Sequence, residues 1–111
     1  MPTTNIASLP GELQQGADAL MRLLDIAHGS SSQPRIVARF LMSLYNGDRF
    51  PFDLTDFRSL DSEIFDDCLA VLRLDCKFSR KVHRYIEDGE GVWERLAKRW
   101  RFNDHGNGSW R

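Results

Sequence analysis

The apolar positions of this chain fall into four stretches with helical spacing, divided by segments of abruptly different composition. In the first, Ala17, Leu20, Leu24 and Ala27 recur every three or four residues with Leu23 beside them, which predicts a helix from about Gly11 to His28. Pro10 suits its first turn, and Glu12 favours the positive end of its dipole. Gly29 and the serines at 30 to 32 break the pattern. Ser32 then caps a second helix with Pro34 in its first turn. Its broad apolar face of Ile36, Val37, Phe40, Leu41 and Leu44 runs through Tyr45, opposite Arg35, Arg39 and Ser43, before Asn46 and Gly47 end it. So short a connection makes an antiparallel pair the natural packing.

Asp48 to Leu60 is the least regular part. Phe50, Phe52, Leu54, Phe57 and Leu60 are too many large apolar groups for a solvated loop, so they are expected to close one end of the core. Asp53 or Thr55 can cap a single helical turn at about Asp56 to Ser59. Asp61 or Ser62 starts a third helix to about Lys77, with Ile64, Phe65, Cys68, Leu69, Val71, Leu72 and Cys76 on a wide apolar face. Glu63, Asp66 and Asp67 early in it and Lys77 at its end match the helix dipole. One or two short turns follow around Val82, Tyr85 and Ile86. Val92, Trp93, Leu96, Ala97 and Trp100 then form the stripe of a last helix from about Glu90 to Arg101.

The expected fold is therefore all-α: a compact single-domain bundle of about four main helices over residues 9–102, with an aromatic-rich loop or short helical turn between helices two and three. Residues 1–8 and 103–111 are expected to be flexible tails. No internal repeat is visible. At 111 residues there is room for one core but not two. The hydrophobic fraction of 41% supports that core and excludes disorder of the whole chain. No run approaches the roughly 18 apolar residues of a membrane span, and the first thirty residues lack a basic start followed by an apolar block, so a cytoplasmic protein with no membrane partner is expected. Cys68 and Cys76 lie about 12 Å apart along one helix, too far for a disulfide, and are read as core thiols.

Charge changes the picture more than composition does. The net charge is only −1, yet residues 46–75 hold eight acids against Arg49, Arg58 and Arg73, whereas residues 76–111 hold nine bases against five acids. Pairing between the acidic third helix and the basic last third is one meaning of that segregation, and a functional basic face is the other. The candidate surface is Arg80, Lys81, Arg84, Arg95, Lys98, Arg99 and Arg101, with Trp93 or Trp100 available for stacking. A helix-turn-helix using Gln33, Arg35 and Arg39 is a second nucleic-acid version. A sequence pI near 6.3 weighs against both, because nucleic-acid-binding domains commonly exceed about 9.

Catalytic and metal chemistry find no pattern. Asp61, Glu63, Asp66 and Asp67 lack the alternate spacing, glycine and terminal glutamate of a calcium loop. His28, His83, His105 and the two cysteines lack the paired spacings of structural zinc. Gly89 and Gly91 are followed by Glu94, so neither a dinucleotide nor a phosphate loop is present. Cys76 has basic neighbours, but no motif orients a base toward it. No cofactor and no enzymatic activity are expected.

The blocks LMRLLDIA at 20–27, QPRIVARFLMSLYN at 33–46, FDLTDF at 52–57, CLAVLRL at 68–74 and, more weakly, VWERLAKRW at 92–100 resemble a family of small uncharacterised bacterial proteins often carried on plasmids, integrative elements and related mobile DNA. The chain departs from that family's usual text at Phe57, where a tryptophan or another residue often follows FDLTD, and in its glycine-rich tail. The resemblance implies a compact helical domain in a bacterial, mobile-element setting and brings no catalytic residues. The leading expectation is a non-enzymatic protein-interaction or regulatory accessory module with a protein partner. Nucleic-acid binding through the basic C-terminal third is the alternative. A homodimer in which the acidic helix of one chain faces the basic helix of another is a third arrangement.

Overall fold

The computed structural model describes residues 11–77 and 81–102; the tails expected at 1–8 and 103–111, and Arg80, lie outside them. Four helices follow in order: α1 (Gly11–Ala27), α2 (Ser32–Tyr45), α3 (Ser62–Lys77) and α4 (Gly89–Trp100). Short 3-10 turns at Leu54–Ser59 and Val82–Tyr85 join the last three. Among the described residues there is no β-strand, and no helix is long and apolar enough to cross a membrane. The all-α bundle is the one the periodicity predicts.

α1 is the helix on which the others gather. It packs most extensively on α3, then on α2, and α2 in turn carries α4. Leu20, Leu23, Leu41, Met42, Leu74, Trp93 and Leu96 are among the side chains this removes from water. Burying a large side chain contributes about 1.5–3 kcal/mol, so these contacts, not helix propensity, hold the elements together. At Gly16 a Cβ would lie 2.8 Å from the Ala70 carbonyl oxygen and 2.8 Å from the Leu74 Cβ, so the bare backbone is what lets α1 and α3 approach. Beside that contact Arg22 donates to Asp67 at 3.0 and 2.9 Å, a forked but exposed pair worth at most about 1 kcal/mol.

The phenylalanines of the irregular segment close one end of the core as expected. Phe57 sits 5.6 Å from Phe40, 5.0 Å from Phe52 and 5.2 Å from Phe65, centroid to centroid, in edge or tilted arrangements that suit aromatic quadrupoles. Asp53 caps the turn, its Oδ1 accepting the Thr55 amide at 2.9 Å and the Thr55 hydroxyl at 2.8 Å.

Local expectations needed correction at five places. Leu54, expected with the phenylalanines to close the core, instead points into solvent on the 3-10 turn, where none of the residues is fully buried. Ser32 is the first residue of α2 rather than its cap; Ser31 occupies the cap position and makes no side-chain bond there. Cys68 is buried, which pushes its thiol pKa up to about 12, but Cys76 is exposed. Leu69 is 37% exposed, whereas Leu74, absent from the expected apolar face, is fully buried. The buried stripe of α3 is Cys68, Val71 and Leu74, and at 100° per residue Leu69 and Cys76 lie about 140–160° from Val71. Finally, the closest ion pair of an α3 acid among the described residues is Asp67 with Arg22 of α1, because α3 packs on α1; of the basic last third, Lys81 reaches α3 electrostatically, at Asp75.

Candidate interaction face

α4 ends in a way the sequence disguises. The Arg101 amide donates to the Lys98 carbonyl at 3.2 Å and the Phe102 amide to the Ala97 carbonyl at 3.2 Å, the paired bonds of a Schellman motif. That motif needs a left-handed residue, and Arg101 supplies it at φ 56° and ψ 42° where glycine is the usual occupant. The reversal turns the chain so that Phe102 folds back beside Ala97.

Around that terminus cations from separate parts of the chain meet. The Trp100 and Phe102 rings stack at 6.5 Å and 12°. Arg35 lies over both, 5.9 Å from Trp100 and 5.3 Å from Phe102, and Arg39 lies 5.4 Å from Phe102. Both arginines come from α2, one helical turn apart. Cation–π contact of this kind is worth about 0.5–1 kcal/mol at an exposed site, enough to hold a guanidinium in place without consuming its hydrogen-bond donors. Arg99 has a structural role: it donates to the His28 and Gly29 carbonyls at 2.6 and 2.9 Å, and Trp100 Nε1 donates to the Ala27 carbonyl at 2.9 Å. α1 has no basic residue in its own last turn, so α4 provides the donors its terminal carbonyls lack.

Between this terminus and the segment after α2 lies a cleft of about 410 Å³, lined by Arg49, Phe50, Glu94, Ala97, Lys98, Arg101 and Phe102. One wall is rigid. Glu94 accepts from Arg49 at 2.7 and 3.2 Å and from the Tyr45 hydroxyl at 2.6 Å, while Arg49 covers the Phe50 ring at 4.8 Å. Burial, with the bond to Glu94, raises the Tyr45 pKa to about 12, so the phenol stays a donor at physiological pH. With Glu94 matched by Arg49, the remaining charges of the cleft are Lys98 and Arg101. Both are exposed, and neither side chain has an ion pair or hydrogen bond among the described residues. The cleft thus brings Phe50, Ala97 and Phe102 together with two cations that no described acid matches. No group of three or more metal-ligating side chains occurs among the described residues.

The sequence profile of a family of unknown function, DUF7673, matches residues 17–101. The chain belongs to the DUF7673 family. Its match runs from Ala17, within α1, to Arg101, so it takes in both walls of the cleft but stops one residue before Phe102. No curated protein and no solved structure matches this DUF7673 chain.

The described basic residues named from sequence take different partners in this DUF7673 member. Lys98 and Arg101 line the cleft. Arg99 closes α1, Arg95 reaches Asp88 at 3.4 Å, and Lys81 donates to the Tyr45 carbonyl at 3.4 Å. Arg84 lines a different hollow with His83, Glu87, Asp88 and Glu90. Gln33, one of the helix-turn-helix candidates, instead accepts the Asp61 amide at 2.7 Å at the start of α3. Of the two stacking candidates, Trp93 is fully buried, with Nε1 donating to the Leu41 carbonyl at 3.0 Å, and Trp100 is half-buried. Arg49, Phe50 and Phe102 were missed as site residues. The signal for Phe102 was present: an aromatic two positions beyond the last helical residue is the apolar partner a Schellman turn folds back.

Arg101→Gly separates strain from use at this position. Relieving the left-handed conformation offsets the extra freedom of glycine in the unfolded chain, so stability should stay level or rise by up to about 1 kcal/mol. Urea unfolding monitored by circular dichroism reads this directly, and a clear loss of stability would show the side chain to be structural.

Proposed function

We propose that this protein is a non-enzymatic interaction module that binds an acidic segment of a partner protein in the cleft at the end of α4. The observation that carries this reading is the pair Lys98 and Arg101, unmatched by any acid among the described residues and set over Phe50, Ala97 and Phe102. Arginine and aromatic groups around a small apolar centre are the composition of protein-binding hot spots. An accessory or regulatory role on a bacterial mobile element rests on the family resemblance alone.

Nucleic acid is the second reading, favoured by the Trp100–Phe102 stack among arginines. Arg35, Arg39 and Arg99 already lie over those rings, and the chain's net charge of −1 gives a polyanion little long-range attraction. A short acidic segment needs only the local cations.

Fluorescence anisotropy with a labelled acidic-hydrophobic peptide, a single-stranded oligonucleotide and a duplex, each at low and high salt, distinguishes these readings. The peptide should bind wild-type protein, weaken with salt and lose roughly tenfold or more in affinity on Lys98→Glu/Arg101→Glu. Peptide binding untouched by that reversal, or absent at low salt, would overturn the protein-segment reading; oligonucleotide binding that falls steeply with salt would put the second in its place.

A further inference from the structure

Leu54 is 71% exposed, the more exposed of the two large hydrophobic side chains left in water among the described residues. It is also ordered. The Asp53 carboxylate ties down Thr55, and Phe52 and Phe57 on either side are packed on Phe40 at 5.7 and 5.6 Å. The 3-10 turn therefore holds a leucine outward between two carboxylates, Asp53 and Asp56, with Arg58 its only base. The surrounding stretch from Asp48 to Glu63 is acidic overall, five carboxylates against Arg49 and Arg58. An apolar side chain flanked by acids on a rigid turn is the converse of an apolar cleft flanked by Lys98 and Arg101.

We propose that the cleft receives the Leu54 turn of a second copy of this chain. This rests on the reading of the cleft as a receptor for acidic protein segments and names the segment. Leu54 would enter over Phe50, Ala97 and Phe102, with Asp53 and Asp56 facing Lys98 and Arg101. Phe50, in the cleft, and Leu54, on the turn, are four residues apart in one segment, so each copy carries donor and receptor close together. A two-fold arrangement then lets both copies give and receive at once and closes the assembly as a dimer instead of a filament. Ordering of the turn and of Arg49 before association removes part of the entropic cost of docking. Because the cations remain near solvent, the association should weaken as salt rises.

The test is sedimentation velocity on the full chain over a concentration series at low and high salt, for wild type, Leu54→Asp and Lys98→Glu/Arg101→Glu. Leu54 and both cations are exposed, so the variants should stay folded with a cooperative unfolding transition in circular dichroism, at a midpoint that no longer depends on protein concentration. The expected result is a salt-sensitive wild-type dimer whose dissociation constant rises roughly tenfold or more in each variant, the cost of removing an anchor or its charge partners. A photo-crosslinking residue placed at position 54, in a mixture of isotopically light and heavy protein, should join two different chains, with the attachment at residues 49–50 or between residues 94 and 102. A wild-type monomer throughout, a dimer indifferent to Leu54→Asp, or crosslinks confined to one chain would overturn the proposal. Anisotropy with the labelled acidic peptide on the same samples separates the two failures. Peptide binding by a monomer leaves the cleft as a receptor for another protein, and absence of both removes the receptor reading as well.

Discussion

Gly89→Ala is expected to destabilise the protein by at least about 3 kcal/mol, at the upper end of what overpacking produces. The reason is a contact with backbone. A Cβ at Gly89 would fall onto the His83 carbonyl, where α4 begins directly against the 3-10 turn of Val82–Tyr85. No side-chain rotation relieves that overlap, so either the turn or α4 must move, and with α4 go Trp93 and Leu96. Gly91→Ala is the matched control. Its Cβ would first meet the Asp88 carboxylate, at 2.6 Å from Oδ2, and that group lies in solvent and can rotate away. The gain of up to about 1 kcal/mol in helix propensity should roughly offset the cost. Urea unfolding of the two variants should therefore separate by several kcal/mol although the glycines are two residues apart. Equal midpoints would show that α4 does not start where the structure places it.

Trp93→Ala is the second large effect, with an expected loss of about 3–5 kcal/mol. Trp93 is fully buried and donates its indole N–H to the Leu41 carbonyl at 3.0 Å, so it ties α4 to the middle of α2 by packing and by a hydrogen bond. It also meets His83 edge to face, with centroids 6.4 Å apart. Total stability for a chain of this size is about 5–15 kcal/mol, so the variant should retain little margin and could lose its cooperative thermal transition. Trp100→Ala, at a half-buried ring, should cost less. Thermal melts of the pair check this order, and a smaller loss at Trp93 than at Trp100 would place the centre of the α4 contact at the wrong end of the helix.

The candidate site was only partly legible beforehand. Lys98 and Arg101 were visible as members of a basic run, because charge is written in the residue names. Nothing local distinguished them from Arg99, one position away, which spends its donors on the His28 and Gly29 carbonyls. Arg35 and Arg39 looked like the polar face of a possible recognition helix, yet their guanidinium groups lie over rings that arrive about sixty residues later. Phe50 was legible as an apolar group that must be covered, but its place in a cleft wall depends on Arg49 being held by Glu94 and on Glu94 being held by Tyr45.

By itself the sequence determined the helical class, the four long segments and most of their limits, because three- and four-residue apolar spacing with prolines at starts and glycines at stops admits little else. It determined equally that the phenylalanines between 50 and 57 had to cover a core, though not that Leu54 beside them would stay in water. Which face of α3 is buried was decided by the approach of α1 at Gly16, and that moved Cys76 and Leu69 to the surface and brought Leu74 inside. Which cations remain unmatched was decided by the C-terminus of α1, which draws in Arg99, and by the left-handed turn at Arg101, which brings Phe102 back to the cleft. Periodicity along one helix records how wide its apolar face is, but only the neighbour that packs on it selects the part that goes dry.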